Sequence, residues 1–204
     1  MTLDTIDMDA DGDHDLLFSD RKGRQSGVFW LENPGADAAH DPSAWTSHSV
    51  GGLGKEVMFL GVGDLDQDGD LDVACATKGG PCYLFYRNSP SGDAWRSEVL
   101  PLPDSMGSGK SAVIGDFDLD GLSDVAVSCE HSEGLVGVAW FRQVRTSTHS
   151  EWEFHDVSGS TQGLKFDLLQ PVDLDQDGDL DLLTCEERDN LGVIWYENPT
   201  RSPD

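Results

Sequence analysis

The sequence predicts an all-β chain of four repeats, and three observations carry that reading. A nine-residue pattern, Asp-x-Asp-x-Asp-Gly-x-x-Asp, starts at Asp7, Asp64, Asp116 and Asp173, so its copies lie 52 to 57 residues apart. Each repeat carries several short apolar or aromatic runs set between turn residues. No segment keeps a helical period over ten or more residues, whereas runs of 4–8 with turn punctuation are strand signals. About fifty residues and four such runs per repeat is the pattern of a β-propeller blade.

The strands follow in order. Strand A runs into the acidic loop, as "VMFLGVGD", "SAVIGD" and "FDLLQPVD". Strand B leaves it, as "LLFS", "VACAT", "VAVSC" and "LLTC". Strand C is aromatic: "GVFWLENP", "YLFYRN", "GVAWFR" and "GVIWYENP". Strand D opens on tryptophan at Trp45, Trp95 and Trp152, and the fourth repeat shows none. The blades span approximately 1–51, 52–104, 105–160 and 161–204, in a single domain. Trp30, Trp140 and Trp195 recur at one place in strand C and are read as packing between blades.

The acidic pattern is a cation loop by its chemistry. A hard cation such as Ca²⁺ takes 6–8 oxygens, mostly carboxylates and carbonyls. Alternating aspartates point several carboxylates into one concavity, and glycine at position 6 permits the sharp turn. The side-chain ligands are expected at Asp7, Asp9, Asp11 and Asp15; at Asp64, Asp66, Asp68 and Asp72; at Asp116, Asp118, Asp120 and Asp124; and at Asp173, Asp175, Asp177 and Asp181. Position 7 offers its backbone carbonyl, from Asp13, Asp70, Leu122 and Asp179, with the three aspartate side chains there expected to point outward. Up to four Ca²⁺ ions are expected. An EF-hand needs a glutamate at position 12 and flanking helices; position 12 here is Phe18, Cys75, Val127 and Thr184. No Cys/His pair has zinc spacing.

This loop, set between two strands and repeated once per blade, resembles the FG-GAP/VCBS repeats of integrin-type calcium-binding β-propellers. Gly63-Asp64 and Gly115-Asp116 fit that resemblance, and "WLENP" and "WYENP" resemble the bacterial type. The resemblance implies structural calcium loops on one face and ligands on the other, in proteins that include adhesion modules, lectins and domains attached to enzymes. It also implies rings larger than four blades. The chain is therefore expected to be part of a six- to eight-bladed propeller, left open or paired with a second copy, rather than a closed four-bladed ring.

Composition narrows function. The formal net charge is −26, from 39 acids against 13 bases. That balance opposes nucleic acid and anionic membranes as partners. No 18-residue apolar run exists, so no membrane insertion is expected, and "MTLDTIDMD" is no signal peptide. An extracytoplasmic or secreted setting, within a longer precursor, is expected from the calcium loops. A Cys75–Cys82 bridge is one pairing the B–C hairpin would allow. No catalytic set stands out among the histidines, serines or paired carboxylates. The leading expectation is a calcium-stabilised binding module for carbohydrate or protein; the alternative is a scaffold for an extracytoplasmic hydrolase or lyase. The candidate ligand face lies opposite the loops. It combines Lys55, Lys110 and Lys165, read as lying just before strand A, with Glu130, His131, Glu186 and Arg188 of the B–C loops.

Overall fold

The computed structural model describes residues 2–146 and 150–201. They form fifteen strands and no helix, so no helix is long and apolar enough to cross a membrane. Blade one is β1 (Leu3–Ile6), β2 (Asp15–Asp20), β3 (Gly27–Glu32) and β4 (Thr46–Gly51). Blade two is β5 (Val57–Gly63), β6 (Asp72–Thr77), β7 (Cys82–Arg87) and β8 (Trp95–Leu100). Blade three is β9 (Ser108–Gly115), β10 (Asp124–Glu130), β11 (Val138–Arg145) and β12 (Ser150–Asp156). Blade four has three strands, β13 (Gln170–Val172), β14 (Asp181–Glu186) and β15 (Gly192–Tyr196). Every sheet is an antiparallel meander in chain order.

Blade packing explains the composition of the strands. β6 and β10 are buried at every position, because blades two and three have a neighbour on both faces. Their sequences, DVACAT and DVAVSCE, are small and β-branched, which lets two sheets approach from either side. β2 alternates buried and half-buried positions, since blade one has a neighbour on one face only. The fourth strands β4, β8 and β12 are largely exposed. At the inner edge β5 and β9 come so close that a Cβ on Gly61 would lie 2.8 Å from the Ala112 carbonyl oxygen. Glycine is required there by contact, not by turn geometry.

Three apolar clusters join blade one to two, two to three, and three to four. Among the described residues none joins blade four to blade one, so the four sheets form an open series and not a closed four-bladed ring. The cost shows at the ends: Leu3 is 67% exposed and Val193 74%. Trp30 and Trp140 pack between blades as expected, but Trp195 faces outward and is 43% exposed. All four cysteines are free thiols, so the Cys75–Cys82 bridge does not form.

Candidate metal loops and the opposite rim

Each acidic loop is built on its last aspartate. Asp15 accepts the backbone N–H of Met8 (2.7 Å) and of Asn33 (2.8 Å), one from its own loop and one from the end of strand C. Asp72 does the same with Leu65 and Arg87, Asp124 with Phe117 and Gln143, and Asp181 with Leu174 and Asn198. Position 9 is therefore a buried brace in all four blades, and only its remaining lone pairs face the loop. Positions 3 and 5 each accept an amide two residues on, as in Asp9 to Asp11 and Asp11 to Asp13, which curls the backbone round the carboxylates. Glycine at position 6 has φ between 88° and 99°. Position 4 is also left-handed, at Ala10, Gln67, Leu119 and Gln176, and no shared residue type announced it.

These bonds gather the carboxylates. Oxygens of Asp7, Asp9 and Asp15 lie within 4.8 Å of one another, as do those of Asp64, Asp66 and Asp72, of Asp116, Asp118 and Asp124, and of Asp173, Asp175 and Asp177. Position 7 departs from expectation. Asp70 turns back to Arg87 (2.5 Å), and Asp179 is buried and accepts the Arg201 amide at 2.6 Å. Those two side chains brace their blades and do not point outward.

At the other end of the strands, one strand length or about 20 Å away, several of the candidate ligand-face residues come together. Lys110 does not precede strand A: it is the extra residue of a β-bulge inside β9, between Gly109 opposite Cys129 and Ser111 opposite Ser128. The bulge turns its amine inward, 3.1 Å from Glu130 and 3.6 Å from Asp167. Lys165 pairs with Glu187. A groove of about 570 Å³ is lined by Glu130, His131, Glu133, Leu164, Lys165 and Arg188. Glu186 lies beneath it as a turn brace, accepting amides of Lys165 (3.1 Å), Arg188 (2.9 Å) and Asp189 (2.7 Å). Lys55 sits in an exposed turn of blade two and does not line the groove. Glu187 lies in the fourth B–C loop as the sequence places it, but the sequence did not single out Asp167; the Lys165-Phe-Asp167 run, which places both charges beside strand A, was the signal available.

The FG-GAP-like repeat matches residues 7–75 and again 64–127, each match running from one acidic loop through the next. The chain belongs to the FG-GAP-like repeat family. Together the matches cover more than half of it, and blade four repeats the same bonds beyond them. No curated protein matches the chain.

The FG-GAP-like loops suit a hard cation on structural grounds. Asp7 Oδ1, Asp66 Oδ1, Asp173 Oδ1 and Asp177 Oδ2 are buried carboxylate oxygens without a hydrogen-bond partner. Such atoms are costly unless a cation or water meets them. Burial and neighbouring carboxylates raise the pKa of Asp9, Asp66 and Asp175, and burial pushes Asp72 up to about 6 and Asp124 up to about 7. The charged loops are thus electrostatically expensive alone, and bound calcium would relieve them as an all-oxygen-coordinated ion.

The third loop differs. Arg142 donates to Asp118 at 2.5 Å and to Asp120 at 2.7 Å, and this loop has no orphaned carboxylate oxygen among the described residues. A guanidinium already meets two of the oxygens expected to hold the ion. Calcium titration by calorimetry is expected to show three comparable sites and one weaker site. Arg142→Ala should strengthen the weak site by about tenfold, the worth of one charge-assisted contact of ~1.4 kcal/mol. Four equal sites in the unmodified chain would contradict this.

Proposed function

We propose that the chain is a calcium-stabilised β-propeller-like binding module, and that its ligand is a carbohydrate seated in the rim groove between blades three and four. The observation that carries the reading is the groove's polar lining on a fixed base. Glu130 is buried against Lys110, which is itself buried, so the acceptor is held in place before any ligand arrives. Arg188, His131 and Glu133 line the same groove and add donors and acceptors, while Leu164 adds an apolar surface. Acidic and basic side chains lining one groove suit the hydroxyl array of a sugar, through charge-assisted hydrogen bonds. The acidic loops at the other end keep the strands in register. An extracytoplasmic setting, where calcium is abundant, accords with that division.

One observation favours hydrolysis or lysis of the bound glycan as a second reading. Glu187 pairs with the groove residue Lys165 and lies near Asp167; burial raises the Asp167 pKa, while Asp167 and Lys165 hold Glu187 down to about 2. Two carboxyls pushed apart are what acid–base chemistry uses.

A glycan array of the whole chain, read with calcium and with chelator, tests the proposal. Arg188→Ala and Lys165→Ala should each weaken the retained glycan by about tenfold, and Lys55→Ala should leave it unchanged. Retention unmoved by both rim substitutions would place the ligand elsewhere. Release of reducing ends that stops with Asp167→Asn would select the enzymatic reading.

A further inference from the structure

The third strand of each complete blade carries a fourth strand on its outer edge: β3 pairs with β4, β7 with β8 and β11 with β12. The edge of β15 has no such partner among the described residues. The register shows what belongs there. Trp95 stands opposite Arg87, and Trp152 opposite Gln143. Arg87 and Gln143 are the residues whose amides meet the position-9 aspartate, and in blade four that residue is Asn198. A fourth strand on β15 would place its tryptophan opposite Asn198.

Those tryptophans reach into the preceding blade. Trp95 packs on the cluster that holds Trp30, and its indole N–H donates to the Gly92 carbonyl at 2.8 Å. Trp152 packs on the cluster that holds Leu84 and Tyr86, and its indole N–H donates to Glu98 at 3.2 Å. Between blades three and four the corresponding place is a cleft of about 450 Å³, lined by Phe117, Trp140, Val157, Leu182, Tyr196 and Asn198 among others. A polar group stands against Trp140, which lines the cleft. His155 faces Trp140 across the sheet as Glu98 faces Leu84, and it stacks on the Trp140 ring at 4.4 Å. His155 Nε2 is buried without a partner. An indole entering as Trp152 does would meet that nitrogen.

We propose that this cleft and the β15 edge together form the seat of an added β-strand, a polypeptide segment that opens on tryptophan and carries valine or leucine five residues later. The spacing is that of Trp45 with Val50, Trp95 with Leu100, and Trp152 with Val157, where Val50 and Leu100 are buried. The edge supplies the main-chain hydrogen bonds and the cleft supplies side-chain selection, which is how strand addition divides affinity from specificity. A sugar or a free aromatic could enter the cleft, but neither pairs with the strand edge.

The test uses the whole chain and a peptide copy of its own Asp93–Leu100. The peptide is expected to bind saturably below about 1 mM and to slow amide exchange in Gly192–Tyr196, and replacing its tryptophan by alanine should weaken it by about tenfold or more. As a second measurement, the same eight residues fused after Asp204 raise the effective concentration into the millimolar range. They should lift Tm by about 5 °C or more, with the alanine version giving less than half of the gain. The proposal fails if neither peptide nor fusion slows exchange in β15, if the alanine versions match the tryptophan ones, or if protection falls on β4, β8 or β12 instead.

Discussion

Removing calcium with EDTA is expected to lower the melting temperature by roughly 10–30 °C, and returning excess calcium should restore it. The four loops hold nineteen of the 39 acids, and four calcium ions would bring the formal charge from −26 to −18. Without an ion the buried oxygens of Asp7, Asp66, Asp173 and Asp177 have no hydrogen-bond partner, and the other carboxylates of their own loops crowd them. A ligand at ~100 times its dissociation constant adds about 2.7 kcal/mol per site. In a chain of this size ~1 kcal/mol moves Tm by about 2–4 °C. Asp68→Ala or Asp177→Ala should give part of the loss in calcium and a smaller one in EDTA, where only the amide that each accepts within its own loop is lost. A melting curve that EDTA does not move would remove calcium from the account of this fold.

Asp124→Ala is expected to destabilise the chain by about 2–5 kcal/mol, and in EDTA as well as in calcium. Asp124 is buried and holds the amides of Phe117 (3.2 Å) and Gln143 (2.8 Å), tying the loop to strand C of the same blade. Truncation leaves two buried N–H groups unmet, at about 1–3 kcal/mol each. The corresponding fall in Tm is roughly 5–15 °C. Asp124→Asn keeps one oxygen and should fall between. Persistence in EDTA separates two duties within one motif: the position-9 brace counts equally with or without the ion, whereas the position-5 carboxylate is expected to count more with it. If Asp124→Ala melted like the parent chain in EDTA, position 9 would be a ligand and nothing more.

Much of the loop was legible in the sequence because its demands fall on residue types. Left-handed backbone at position 6 asks for glycine, and Gly12, Gly69, Gly121 and Gly178 stand there. Oxygen chemistry asks for aspartate at every second position. The left-handed position 4 was not legible, since alanine, glutamine and leucine all stand there, at Ala10, Gln67, Leu119 and Gln176, and none is a residue type that favours that backbone. The rim was half legible. Lys110, Lys165, Glu130 and Arg188 were found, but a bulge put Lys110 inside β9, and Lys55, similar in local sequence, stays away from the groove. Glu186 looked like a ligand residue and is a turn brace, because five backbone amides converge on its carboxylate.

By itself the sequence determined the repeat, the four-run blade, the place of each acidic loop and the residues able to hold a cation there. Those features are set within a few neighbouring residues, where spacing dictates which side chains share a face or a turn. Only the tertiary structure decided what depends on contacts between distant residues. Arg142 reaches back over more than twenty positions to the third loop, Lys110 meets Asp167 from the next blade, and Trp140 with His155 is left beside a cleft that Trp95 and Trp152 fill elsewhere. Local pattern is the same in every repeat, but each blade differs in what its neighbours present to it, and that difference is carried by packing.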